Sequence, residues 1–298
     1  RTAVWKAIHQ LEEEGYRIEA VPRKGYHMVE TPDVVCKEEI LSLLETKWAG
    51  RNLVYLETVD STNDLAKKLA DQGAPEGTLV VADEQTGGKG RRGRAWCTPK
   101  GSAIAMTIVL RPDIRPELAS MVTLVMGLSV AKAIGSLYPV SVGIKWPNDV
   151  VVNGKKICGI LTEMSAEMTG IHYLVIGTGI NTNVEEFPEE IQSVATSLIK
   201  ELGEKVNRAE LIAACLKYFE EYYEKYIAAG NLAPLKEDYE ALLLNRNNKV
   251  RVLEPNHEYT GLSLGINEDG ELLVEKEDGT VTAVYAGEVS VRGVYGYV

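Results

Sequence analysis

Between Gln85 and Trp96 the chain reads Gln-Thr-Gly-Gly-Lys-Gly-Arg-Arg-Gly-Arg-Ala-Trp, with Gly87, Gly88, Gly90 and Gly93 interleaved with Lys89, Arg91, Arg92 and Arg94. Glycine tolerates positive φ and lets backbone N–H groups approach an anion closely. Arginine grips phosphate or carboxylate through two parallel hydrogen bonds. Trp96 adds a flat surface on which a nucleobase can stack. The spacing is not that of a P-loop, which needs GxxxxGK[ST]. On a chain of net charge -11, so dense a cationic patch implies a loop that closes over a phosphorylated anion. A merely solvated basic loop explains the charges but not their coincidence with the glycines and Trp96.

Three further segments carry polar chemistry. In Asp60-Ser61-Thr62-Asn63, each side chain can cap a helix N-terminus, and together they can hold a small polar ligand near the helix start. Lys145-Trp-Pro-Asn148-Asp149 leads into Val-Val-Val-Asn-Gly-Lys-Lys-Ile-Cys-Gly-Ile-Leu. There Asn153-Gly154 between apolar runs predicts a two-residue type I′ hairpin. That register opposes Val152 to Lys155, Val151 to Lys156 and Asp149 to Cys158. It puts Asp149, Val151, Lys156 and Cys158 on one face, with Asp149 and Lys156 as diagonal neighbours about 7–8 Å apart at Cα. A lysine and a carboxylate on one sheet face are either a surface ion pair or, beside an anion-binding loop, active-site groups. Gly177-Thr-Gly-Ile-Asn181 follows an apolar strand; its glycines admit close backbone approach, and Asn181 offers donor and acceptor.

The elements that must position these groups are legible from periodicity and turn signals. Residues 1–14 read as a helix, with Val4, Ile8 and Leu11 at helical spacing and Gly15 after it. An alternating strand from Tyr16, a basic turn Pro22–Gly25 and a return strand from Tyr26 follow. Helix plus ribbon is the second half of a winged helix-turn-helix, here expected to be truncated at its start. It is a DNA reader or a packing element, since residues 1–29 hold only five basic residues against four acidic ones. A connector with a helix over Lys37–Leu44 precedes an α+β domain. That domain has strands at Thr78–Ala82, Ala103–Leu110, Val140–Trp146 and Tyr173–Gly177, and helices at Ser61–Asp71, Leu118–Ser136 and Arg208–Ala228. From Asn247 short strands alternate with turns at Asp269-Gly270 and Asp278-Gly279, the pattern of a small β-barrel.

At 298 residues, 45% hydrophobic and 25% charged, the chain is expected to be a multidomain globular protein. No uninterrupted run of about 18 apolar residues occurs, so no membrane span is expected, and no secretory segment opens the chain. Cys36, Cys97, Cys158 and Cys215 are scattered, as are the four histidines, which implies reduced thiols in a cytoplasmic protein and argues against a His/Cys metal site. The acidic total excludes general nucleic-acid affinity while leaving room for a local DNA-reading element.

Taken in order, the DSTN segment, the QxxGxGRRGR-like loop, KWPND, KxxGIL and GxGIN resemble the bifunctional biotin protein ligases that double as biotin-operon repressors. The resemblance spans essentially the whole chain. It implies an α+β protein with an N-terminal winged helix-turn-helix (1–32), a linker (33–50), a class II synthetase-like α/β catalytic domain (51–245) and an SH3-like C-terminal barrel (246–298). It implies activation of biotin by ATP to biotinyl-5′-AMP and transfer to a lysine of the acetyl-CoA carboxylase biotin carrier protein, with Mg²⁺ as helper. The adenylate would also act as corepressor, with a homodimer binding operator DNA. By this resemblance Ser61, Thr62, Asn63, Gln85, Lys89, Gly90, Arg91 and Lys156 line the biotin site. Arg91, Arg94, Trp96, Lys145, Asn148, Lys156 and Asn181 meet the nucleotide. Lys156, Arg91 and Asp149 carry the chemistry, with Asp149 orienting or deprotonating the attacking amine. Arg1, Thr2, Trp5, Lys6, Arg23 and Lys24 would face DNA. Lys89 stands where many relatives have arginine, keeping the charge but not the two-pronged fork. Two rivals remain: a lipoate- or octanoate-protein ligase on a related fold, and a biotin-sensing transcription factor without catalysis.

Overall fold

The computed structural model describes residues 2–13, 16–22, 24–30, 33–167, 170–254, 257–286 and 290–293. Helix α1 (Thr2–Glu13) is followed by a two-stranded antiparallel ribbon, β1 (Arg17–Val21) and β2 (Gly25–Glu30). Of the residues expected to face DNA, Arg1 and Arg23 lie outside the described residues; Thr2 opens α1. Trp5 packs edge-on against His9 and is half exposed, and Lys6 and Lys24 are exposed. Helix α2 (Lys37–Leu43), capped by Cys36, lies in the connector.

The centre is a seven-stranded sheet in the order β3-β4-β5-β9-β8-β7-β6. Its strands are β3 (Leu53–Val59), β4 (Leu79–Gln85), β5 (Ala103–Leu110), β6 (Val142–Lys145), β7 (Asp149–Val152), β8 (Lys155–Glu167) and β9 (Gly170–Asn181). Only β3 and β4 run parallel, joined by helix α3 (Thr62–Asp71) as such a crossover requires. One face is packed under α4 (Ala119–Leu137) and, after the short α5 (Leu198–Leu202), α6 (Arg208–Ala229), and holds the main apolar core. On the other face α3 covers half the sheet, with Ala66 and Ala70 against Val80, Val109 and Val175. The uncovered half is where the polar segments converge.

Period-2 alternation explains that division. On β9, Leu174, Ile176 and Ile180 enter the main core, whereas Tyr173 and Val175 pack on the α3 side. Gly177 and Gly179 continue the α3-side row and leave a trough where side chains would otherwise stand. They therefore lie inside a strand paired on both edges, which runs past the end expected at Gly177 to Asn181. A Cβ on Gly177 would sit 2.1 Å from Asn63 Oδ1, and one on Gly179 2.3 Å from Trp96 Nε1.

The Asn153-Gly154 hairpin forms with both residues at positive φ, 49° and 80°, and Val151 faces Lys156 as expected. Beyond that pair a β-bulge shifts the register, so Asp149 faces Gly159 and Val150 faces Cys158. The extra residue sends Cys158 into the main core with Val150 and Val152, away from the face it was expected to share with Asp149. Pro116–Leu137 is long and apolar enough to cross a membrane by length and composition, at mean hydropathy 1.7 over an 18-residue window, but 78% of that window is buried in the protein, where α4 is the central core helix. Its small residues interrupt the apolar run without making it polar.

After α7 (Lys236–Leu242) the tail forms a five-stranded antiparallel sheet in the order β13-β12-β11-β10-β14. Its strands are β10 (Lys249–Glu254), β11 (His257–Ile266), β12 (Leu272–Glu275), β13 (Val281–Val284) and β14 (Ser290–Gly293). This is the strand content expected of the small barrel, with β13 and β14 as the two edges. The two Asp-Gly turns are longer than two residues: Gly270 and Gly279 take positive φ and close them as glycine-bulge hairpins. Fully buried Trp146 ties the tail to the centre, its indole N–H donating to Gly270 O at 2.9 Å.

Candidate active site

Ser61 accepts from Asp64 N at 3.4 Å and so caps α3. The next two residues are thereby buried against the sheet. Thr62 donates from both backbone N and Oγ1 to Gln85 Oε1 at 2.9 Å, and Gln85 Nε2 donates to Thr98 Oγ1 at 3.1 Å. Asn63 is held from three sides: Thr107 Oγ1 donates to its Oδ1 at 2.7 Å, and its Nδ2 donates to Glu163 Oε2 at 2.8 Å and Leu161 O at 3.3 Å. Ser61, Thr62, Asn63 and Gln85, with Gly177 and Gly179, line a cavity of ≈ 50 Å³, room for only a few waters.

The Gln85–Trp96 loop folds as a hairpin. Gln85 N bonds Thr98 O, Trp96 N bonds Gly88 O at 2.9 Å, and Gly90 N bonds Arg94 O at 2.7 Å. A Cβ at Gly88 would lie 2.3 Å from Trp96 O, so close strand approach is one reason for glycine here. The tip turns through Arg92 and Gly93 at positive φ. Lys89 reaches Asp64 Oδ2 at 2.6 Å, and that hydrogen bond lowers the Asp64 pKa. Lys89 thus fastens the loop to the start of α3. Arg91 points inward, donating to Asn148 Oδ1 at 2.7 Å and Ala286 O at 3.3 Å, with burial lowering its pKa.

The bulge leaves Lys156 and Asp149 together, with Nζ 2.5 Å from Oδ1. Asn148 Nδ2 donates to the same Asp149 oxygen at 3.0 Å, so Arg91, Asn148, Asp149 and Lys156 form one chain. The Trp96 ring lies under Lys156 Nζ, 5.6 Å from its centroid, over Gly159 and Gly179. It thereby divides the small cavity from a second one of ≈ 570 Å³. The larger cavity is lined by Arg91, Arg94, Lys145, Asp149, Lys156 and Arg292 on its charged side, and by Phe187, Pro188, Ile191 and Val194 on its apolar side. Burial pushes the Lys145 ammonium down to about 8. Asp149 opposes that shift, while the positive charges of Lys156, Arg292 and Arg94 add to it. Asn181 also lines this cavity and is buried, donating to Thr196 O at 3.1 Å.

All the residues expected for the small-ligand and nucleotide sites thus meet at these two adjoining cavities, although Lys89 is turned to Asp64. Sequence reasoning missed Thr107 and Glu163, which hold Asn63, and the wall formed by segment 184–195 and Arg292. A threonine inside the apolar run Ala103–Leu110 was a usable signal for Thr107; the wall has no periodicity. Among the described residues no group of three or more His, Cys, Asp or Glu side chains could hold a metal. Asp149 and Glu186 are the carboxylates on the large cavity. That donor set suits Mg²⁺ carried in with nucleotide phosphates rather than a protein cage.

The site is thus a seven-stranded sheet with a glycine trough, flanked by a cationic hairpin and a Lys–Asp pair. Residues 55–181 match the biotin/lipoate A/B protein ligase family, residues 247–292 the biotin protein ligase C-terminal domain, and residues 1–27 an HTH domain. The chain is 41% identical to the bifunctional ligase/repressor BirA of Bacillus spizizenii, over 97% of this chain and 89% of that one. It is 32% identical to a biotin–[acetyl-CoA-carboxylase] ligase of Mycobacterium tuberculosis, over 80% and 88%. A biotin protein ligase from Aquifex aeolicus, solved with biotin and ATP, superposes with a TM-score of 0.72 at 34% identity, covering 82% of this chain and 99% of that one. The chain belongs to the biotin/lipoate protein ligase family, in the branch with an N-terminal HTH domain.

Proposed function

We propose that this chain condenses biotin with ATP to biotinyl-5′-AMP and transfers the biotinyl group to a lysine of the acetyl-CoA carboxylase carrier protein. The observation that carries this reading is the adjoining pair of cavities with Lys156 and Arg91 between them. The small cavity, built by Ser61, Thr62, Asn63, Gln85, Lys89 and Gly90, takes the biotin ring when the Trp96 indole shifts from over Gly159 and Gly179. The large one takes the nucleotide, with Trp96, Asn148, Asn181, Lys145 and Arg94 around base and phosphates.

The biotin carboxylate attacks the α-phosphorus and pyrophosphate leaves. Charge grows on phosphate oxygens, and fixed cations aimed at that charge lower the barrier. Lys156 meets carboxylate and α-phosphate together, and Arg91 meets the phosphate from the loop side. Mg²⁺ bound to the phosphates would neutralise charge there. In the second step the carrier amine attacks the acyl carbon and AMP leaves. Asp149, held by Asn148 and Lys156, is the carboxylate placed to orient that amine and take its proton. Because the adenylate is a reactive mixed anhydride, the Gln85–Trp96 hairpin serves as the lid that excludes water and stray amines.

We divide the chain at 1–32, 33–50, 51–245 and 246–298, with the first part reading operator DNA through Trp5, Lys6, Lys24 and, outside the described residues, Arg1 and Arg23. Adenylate loading favours a homodimer, and two such modules fit a two-fold site. A reaction that draws on ATP and a chromosomal operator belongs in the cytoplasm. Incubation with labelled biotin, MgATP and a carrier domain should label one carrier lysine. Equal labelling by lipoate, or none by biotin, would overturn the reading.

A further inference from the structure

Arg208 opens α6 on the far side of the sheet from both cavities, yet its side chain is only 4% exposed between two carboxylates. Its Nε donates to Asp33 Oδ2 at 2.7 Å and its Nη1 to Asp83 Oδ1 at 2.6 Å. Its backbone N donates to Asp33 Oδ1 at 2.9 Å. Each partner has a second bond. Asp33 Oδ2 accepts from Asn183 Nδ2 at 2.8 Å, and Asp83 Oδ2 accepts from Gly101 N at 3.1 Å. Asn183 N in turn bonds Ser102 O at 2.6 Å.

The positions of these partners in the chain give the cluster its meaning. Asp83 lies two residues before Gln85, and Gly101 and Ser102 lie just after the loop, so they are the two feet of the cationic hairpin. Asn183 is the foot of the segment whose Val184, Phe187 and Ile191 wall the large cavity. Asp33 is in the linker that leaves the N-terminal helix and ribbon. A planar guanidinium with five donors can satisfy two carboxylates at fixed geometry, which a lysine cannot. Around the buried Arg208 side chain, the bonds of such a network are energetically coupled, so loosening one weakens the others.

We infer that Arg208 and Asp33 form a positioning junction through which the state of the two site loops reaches the N-terminal module; the inference rests on the ligase reading above. Ordering of the hairpin or of the 184–195 wall on ligand fixes Asp83, Gly101 and Asn183. Through Arg208 this fixes Asp33 and the linker's departure direction. The coupling is reciprocal, so holding the module on DNA tightens ligand retention by the same factor.

The test uses the full chain and Asp33→Asn, which keeps the side chain's shape and one acceptor oxygen but removes its charge and sets an NH2 group against a donor of Arg208. Arg208→Lys is the companion variant, keeping the cation but not the bridge. Arg208→Ala is avoided because it strands two buried carboxylates. Amide hydrogen exchange is followed with and without biotin plus MgATP, and adenylate is quantified in the same samples. In the wild type, protection should rise at residues 85–98 and also change at 17–22, 24–30 and 37–43. Asp33→Asn should form adenylate within about twofold of wild type, since Asp33 touches neither cavity. It should keep the response at 85–98 and lose at least half of that in the N-terminal residues. Arg208→Lys should lose the N-terminal response and weaken the loop response as well. An N-terminal response unchanged in both variants, or absent from a wild type that makes adenylate and orders its loop, overturns the junction. A wild type that makes no adenylate instead refutes the ligase reading, and the inference with it.

Discussion

The two cavities are built on opposite principles. The small one is made by strand and helix backbone: glycines clear it, and Thr62, Asn63, Gln85, Thr107 and Glu163 lock one another. The large one is walled by loops and the tail, with cations ranging from buried Lys145 to exposed Arg94 set against apolar side chains. A rigid trough suits a ligand recognised by shape and hydrogen bonds. A loop-walled, cationic cavity suits one that brings charge and must later leave as product. Trp96 lies on the boundary, so its indole must adjust for one molecule to span both.

The comparison is broken most severely at the boundary itself. Lys156→Ala should lower adenylate formation by about 10²–10³ with little change in thermal unfolding, read as biotin-dependent pyrophosphate release. A near-normal rate would remove Lys156 from the chemistry. Arg91→Gly deletes the lid's inward contacts to Asn148 and Ala286. At roughly 1.5–3 kcal/mol for a charge-assisted bond, the adenylate should escape at least tenfold faster in a chase and label lysines indiscriminately; retention equal to wild type would refute the lid. Gly177→Ala sharpens the contrast. Its methyl meets Asn63, which is bonded on three sides and cannot swing away, at a cost of about 1–3 kcal/mol. KM for biotin should rise and KM for ATP should not, so equal increases would mean the cavities are not separate.

The smallest effect is the pH response of Lys145. Its pKa, about 8, lies below the ordinary 10.5. Between those values the unfolded chain holds a proton the folded chain lacks, so this group makes stability rise with pH from 8 to 10.5. Its help to a polyphosphate runs the other way and fades as pH climbs through 8. KM for ATP should therefore rise severalfold between pH 7 and 9, and Lys145→Met should flatten that step. A wild-type KM constant over this range would place Lys145 away from the phosphates.

How far the sequence foretold this differs between the same two regions. Helix starts at Ser61, 118–119 and Arg208 were readable because caps and periodicity are local signals. The meeting of Asp149 with Lys156 was readable from the Asn-Gly turn. The bulge that relocated Cys158 was not, because no residue type announces it. The strand was expected to end at Gly177 because the reason Gly177 and Gly179 are glycine, the nearness of Asn63 and Trp96, is tertiary. The 184–195 wall and Arg292 were invisible for the same reason: long-range packing alone brings them to the cavity.

The central claim is that one carboxylate is joined to the α-phosphate across the Lys156 boundary. Exchange of labelled pyrophosphate into ATP tests it most directly. Exchange should require biotin, should not be supported by lipoate, and should be lost in Lys156→Ala. Exchange without biotin, or exchange undiminished in that variant, would contradict it.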